Sequence, residues 1–96
     1  MIIEIQTWRL KDGADVDAFL GAEHRASTEF APFEHGAMRR TTARNETSWC
    51  CVMLWDSISD ADASLLRWES DPVMQVFTSF LAPGSLRIER YEDLGG

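Results

Sequence analysis

With 96 residues, 45% of them apolar and 26% charged, the chain has the size and composition of a single globular domain, which excludes disorder as its dominant state. Its formal charge of −7 argues against a general affinity for nucleic acid, since that affinity comes from Lys and Arg displacing counterions from phosphates. The longest unbroken apolar run, Trp49 to Trp55, falls far short of the ~20 residues that cross a bilayer.

The opening MIIEIQTWRL alternates with period two and reads as a strand rather than an export leader, so a cytoplasmic location is expected. Ile3, Ile5 and Thr7 fall on one face of that strand and Glu4, Gln6 and Trp8 on the other. LKDGAD is a turn broken by Gly13, and Asp15 and Asp17 suit the N-terminus of a helix running to about Ala31, where Pro32 closes it. Its sheet-facing stripe is expected at Val16, Phe19, Leu20, Glu23, Ser27 and Phe30. After Gly36, AMRRTTARN has the polar alternation of an edge strand, and Asn45-Glu46 turns the chain back. SWCCVMLWD is continuously apolar, which predicts a central strand buried on both faces.

Ser57 and Asp60 have capping-box spacing and begin the next helical region, which Ser70-Asp71-Pro72 divides into two short helices. Val73, Val76, Phe77 and Phe80 supply its apolar stripe. Pro83-Gly84 leads into SLRIERYED, a last strand with Leu86 and Ile88 opposite Arg87, Glu89 and Tyr91. Two successive strand-helix-strand units predict an α+β, ferredoxin-like βαββαβ domain over residues 1–96: a four-stranded antiparallel sheet with helices on one face. Large apolar groups on both strand faces, Trp8, Trp49, Met53, Trp55 and Tyr91 among them, imply a cover for the helix-free side, and a second copy of the chain is the expected cover.

Chemistry is less legible. No GxSxG, HExxH, GxGxxG or P-loop occurs. Cys50 and Cys51 are adjacent on a strand, point to opposite faces, and read as reduced core thiols. Asn45-Glu46-Thr47 fits the glycosylation pattern but reads as a hairpin turn. Six arginines (Arg9, Arg39, Arg40, Arg44, Arg87, Arg90) lie in or beside strands, either pairing with Glu4 and Glu89 and guarding edges or forming an anion site. His24 sits at the margin of the first helix's stripe, as a surface histidine or a base facing a pocket, and His35 lies in a loop; neither has metal-ligand spacing. The four tryptophans supply core and interface area, or grip a flat aromatic ligand between Trp55, Gln6, Tyr91 and an arginine such as Arg87.

The segments IEIQTWRLKDG, MLWDS and SDPVMQVF, in that order, resemble the antibiotic biosynthesis monooxygenase-like (ABM) members of the dimeric α+β barrel superfamily. The resemblance implies homodimers whose sheets face one another, with a ligand cavity between sheet and helices in each subunit. Some members oxidise polycyclic phenols with dioxygen without metal or flavin, and related ones degrade haem. Trp55 matches the family's tryptophan at the end of the third strand, and Gln6 falls near a first-strand asparagine. The axial histidine of the haem-degrading relatives maps near Phe77, so haem held in that way lacks its ligand. The function implied is cofactor-independent monooxygenation of an aromatic or quinone-like molecule, with Trp55 and Gln6 positioning it, His24 or Tyr91 moving a proton, Arg87 and Phe77 contacting the ligand, and no metal or cofactor. The alternative is a non-catalytic ligand-binding or stress-responsive dimer of the same fold.

Overall fold

A computed structural model describes residues 1–95. The elements are β1 (Ile2–Trp8), α1 (Val16–Arg25), a π-helical turn (Ala26–Phe30) and a 3-10 turn (Ala31–Phe33), β2 (Ala37–Arg44), β3 (Trp49–Trp55), α2 (Ile58–Trp68), α3 (Pro72–Ser79) and β4 (Arg87–Glu92). The strands form one antiparallel sheet in the order β2-β3-β1-β4, with the helical segments on one side. This is the ferredoxin-like arrangement that two strand-helix-strand units require, with β3 central and β2 at an edge.

The local signals act as their chemistry dictates. Asp15 caps α1 by accepting from the Ala18 N–H, and Ser57 caps α2 by accepting from the Asp60 N–H. Asp71 caps α3 through the Val73 and Met74 N–H groups, with Pro72 preset in the first turn. Asn45 Oδ1 accepts from the Thr47 and Ser48 N–H groups and closes the β2-β3 hairpin. Gly36 has φ +80° and lies against Asp60, so a side chain there meets both backbone strain and a collision.

Two expectations need correction. The first helix does not continue regularly to Ala31: Pro32 has no N–H to offer Thr28 and its ring crowds that carbonyl, so the helix widens into the π turn beforehand. Its contact line also differs, because Ala22 and Ala26 join Phe19 in the buried set while Val16 and Leu20 stay exposed. The small alanines let the helix approach closely, and that turns the larger aliphatic side chains to its margin.

The second correction concerns the sheet's faces. Trp8, Trp49, Met53 and Trp55 all lie on the helix side rather than being divided between faces. With Phe19 and Phe77 they build the core, where edge-to-face contacts join Trp8 to Phe77 at 5.4 Å, Phe19 to Trp49 at 4.9 Å and Trp68 to Phe77 at 5.7 Å between ring centroids. The opposite face is still apolar at its centre, where the cross-strand pairs Ile3↔Leu54 and Ile5↔Val52 form an aliphatic patch. β3 is therefore fully covered on one face only, and Val52 is 36% exposed in the single chain. Among the described residues no helix is long and apolar enough to cross a membrane.

Candidate active site

A first strand carrying isoleucines on one face and Glu4 and Gln6 on the other would ordinarily turn the isoleucines toward the helices. β1 does the reverse. Trp8 anchors the polar face inward, so Glu4 and Gln6 are 3% and 4% exposed beneath the helices while Ile3 and Ile5 line the bare side. Burying such groups is costly unless their hydrogen bonds are met.

Those bonds are largely in place. The Gln6 side-chain amide donates to Glu4 Oε1 at 2.8 Å, and Arg90, opposite Glu4 in the β1-β4 register, donates from Nε to Glu4 Oε2 at 2.8 Å. Arg90 also donates to Asp62 on α2 and so ties the sheet to the helix layer. Partial burial pulls the Arg90 guanidinium pKa down, but its bonds to Glu4 and Asp62 outweigh that and raise it, so the arginine stays charged. A second cluster lies on the β2 side, where Arg40 donates to Glu23 and to Ser27, and Thr42 donates to Glu23 at 2.6 Å.

Between the clusters is a cavity lined by Glu4, Gln6, Arg40, Met53 and Trp55 from the sheet and by Phe30, Ala31, Ala61, Ser64, Leu65 and Trp68 from the helical layer. About 20 Å³ of it is open to the centre of a water molecule, room for roughly one water. Trp55 is almost wholly buried and its indole N–H has no hydrogen-bond partner. The cavity is thus bordered by the Glu4 carboxylate, the Trp55 indole and the Arg40 guanidinium side chains within mostly apolar walls, as sites for small molecules usually are.

The residues singled out from the sequence are not brought together. Gln6 and Trp55 line the cavity. Tyr91 and Arg87 pair with Ile3 and Thr7 on the opposite face and cannot touch the same ligand within one subunit, because Arg90 and Ile88 take the helix-facing positions of β4. Tyr91 instead donates its hydroxyl to Glu89, a bond that raises its pKa and disfavours its ionisation. His24 is exposed on α1, away from the cavity lining. Phe77 is wholly enclosed among Trp8, Phe19 and Trp68 as core. The Cys51 thiol is pushed up by burial, which keeps it neutral. Among the described residues no group of three His, Cys, Asp or Glu side chains is placed to hold a metal ion.

Sequence reasoning missed Glu4 as a site residue. The available signal was its parity: it shares a face with Gln6 and Trp8, so a core tryptophan two positions beyond Gln6 draws both polar groups inside.

No protein-family profile matches the chain, and no curated protein does. Solved structures do match over nearly its whole length. SnoaB from Streptomyces nogalater, described as a cofactor-independent oxygenase, superposes with a TM-score of 0.76 at 12% identity, covering 99% of this chain and 97% of that one. A Bordetella bronchiseptica protein named for antibiotic biosynthesis monooxygenases gives a TM-score of 0.79 at 12% identity, over 97% and 96% of the two chains. The fold is that of the antibiotic biosynthesis monooxygenases. An uncharacterized NIPSNAP-domain protein from Burkholderia xenovorans is also similar, with a TM-score of 0.66 at 21% identity over 99% and 96% of the chains. The ABM-like fold is therefore shared with proteins named for other things, and what this one does rests on its own cavity.

Proposed function

We propose that this protein is a homodimeric enzyme that oxygenates a phenol-like or quinone-like aromatic molecule with dioxygen, without an added cofactor, in the cavity beside Glu4. The observation that carries the reading is the inverted alternation of β1, which puts a carboxylate and an amide into an aromatic-walled core and leaves isoleucines outside. The likeness of fold to SnoaB supports the reaction type.

Glu4 is the base of this scheme. Gln6 and Arg90 occupy two of the roughly four acceptor positions of its carboxylate, and the others are free to take a proton from substrate. The resulting carbanion gives one electron to dioxygen, and the radical pair closes a C–O bond. The peroxide formed regains a proton. Loss of a second C–H proton as the O–O bond breaks gives a carbonyl and water, so one CH2 group, present as such in an anthrone and in the keto tautomer of a phenol, and one O2 become one C=O and one H2O. Trp55 offers a flat wall, and its unpaired indole N–H is a donor for the developing oxyanion.

Oxygen uptake with naphthols, hydroquinones and anthrones tests the reading, with Trp55→Ala expected to lose rate without loss of assembly. A second reading, binding without turnover, draws on the smallness of the enclosed space. Saturable binding of the same compounds by a wild-type protein inert across the panel selects it.

The dimer has its own support. The Ile3, Ile5, Val52 and Leu54 patch lies at the centre of the sheet, where an exposed antiparallel face normally alternates to polar residues. A second copy laid on this face buries the patch in both chains. Light scattering over a dilution series is expected to show a dimer at micromolar protein and a monomer for Val52→Glu; a wild-type monomer throughout contradicts it.

A further inference from the structure

As closed in this structure, the cavity beside Glu4 has room for about one water, so the proposed aromatic substrate fits there only once the wall formed by Leu65 and Trp68 opens. Leu65 and Trp68 on α2 line it from the outside and at the same time line a surface groove between α2 and α3. On the measure that gives the inner space as about 20 Å³, the groove holds about 410 Å³, and its lining is mainly apolar. Trp68 is the largest group between the two. Its ring is half-buried: its inner side meets Phe77 edge-to-face at 5.7 Å, and on the groove side its N–H donates to Thr78 Oγ1 on α3 at 2.6 Å, the one hydrogen bond that holds it.

We propose that the α2-α3 groove and the Glu4 cavity are two ends of one ligand channel, shut in this structure by the Trp68 side chain. This rests on the function proposed above and names the route and the shape of the ligand. The inner end is lined by the Glu4 carboxylate, an acceptor, and by Trp55, whose buried indole N–H has no partner, so it suits a hydroxyl-bearing head. With the indole displaced, the ring that bears this hydroxyl lies between Trp55 and Leu65, and the outer end takes the apolar remainder through Leu65 and Leu86. An amphiphilic aromatic alcohol meets both requirements, whereas a wholly polar metabolite leaves the groove unfilled and a pure hydrocarbon leaves Glu4 unmatched. The Thr78 hydroxyl latches the door. Releasing Trp68 joins the two spaces without moving the sheet.

The probe is 2-naphthol, followed by its own fluorescence in stopped flow against the intact protein. Thr78→Val keeps the side chain's shape and deletes the latch, so the open population and the association rate constant are expected to rise about three- to tenfold. Trp68→Ala removes the door and is expected to raise the rate at least as much. Glu4→Gln leaves the route alone and should weaken affinity about tenfold, chiefly through faster dissociation. Thermal melts of each variant confirm that the folded protein is being read. Association indifferent to both Thr78→Val and Trp68→Ala, with binding still dependent on Glu4, overturns the channel while the proposed function stands. Affinity unchanged in Glu4→Gln places naphthol in the groove alone and also overturns the channel. No binding by either wild type or Trp68→Ala removes the proposed function along with it.

Discussion

Glu4→Gln is expected to lower turnover by about 10²- to 10⁴-fold, the range associated with loss of a positioned general base. The substitution suits the question because it preserves the shape of the site. A glutamine carbonyl still accepts from Arg90, and rotation of the Gln6 amide by half a turn restores the bond between the two side chains. Arg90 also keeps Asp62 as a partner, so no cation is left unpaired. The melting temperature should therefore stay within a few degrees of wild type while oxygen uptake collapses. Equal loss of both would mean that Glu4 is structural.

The second large effect is on stability. Phe77→Ala is expected to cost about 3–5 kcal/mol, because Phe77 is 0% exposed and touches rings from β1, α1 and α2. At about 4–8 °C per kcal/mol for a domain of this size, the melting temperature followed by circular dichroism should fall by more than about 10 °C. A Phe77 that served as a ligand wall would give weaker binding with little change in melting. The enclosure of the ring by three neighbours predicts the former.

Much of the architecture was legible because it is written in local chemistry. The helix start at Asp15, the Ser57 cap, the break at Pro72, the Asn45 turn and the central placement of the apolar third strand each follow from a residue acting on its nearest neighbours. The site was legible only in part, because it depends on which face of each strand turns inward. Period two divides Gln6 from Ile5 and Arg87 from Ile88 but does not say which half is covered. That choice is made by contacts far apart in sequence: Trp8 against Phe77 fixes the parity of β1, and Glu4 against Arg90 fixes that of β4. Tyr91 and Arg87 were consequently grouped with Gln6 and Trp55, although the register separates them by the thickness of the sheet. The half-buried network of Arg40, Glu23, Ser27 and Thr42 escaped for the same reason, since the polar middle of the first helix's stripe meets its partner only across the fold.

Inverting a strand's polarity in so small a core leaves Glu4 and Gln6 where aliphatic side chains would stabilise the fold more simply. On the proposed function, this arrangement serves a ligand on the helix side of the sheet. A crystal structure of the protein with bound 2-naphthol decides the point: the ring is expected against Trp55 with its oxygen within hydrogen-bonding distance of the Glu4 carboxylate, and a naphthol seated on the other face beside Tyr91 and Arg87 would overturn it.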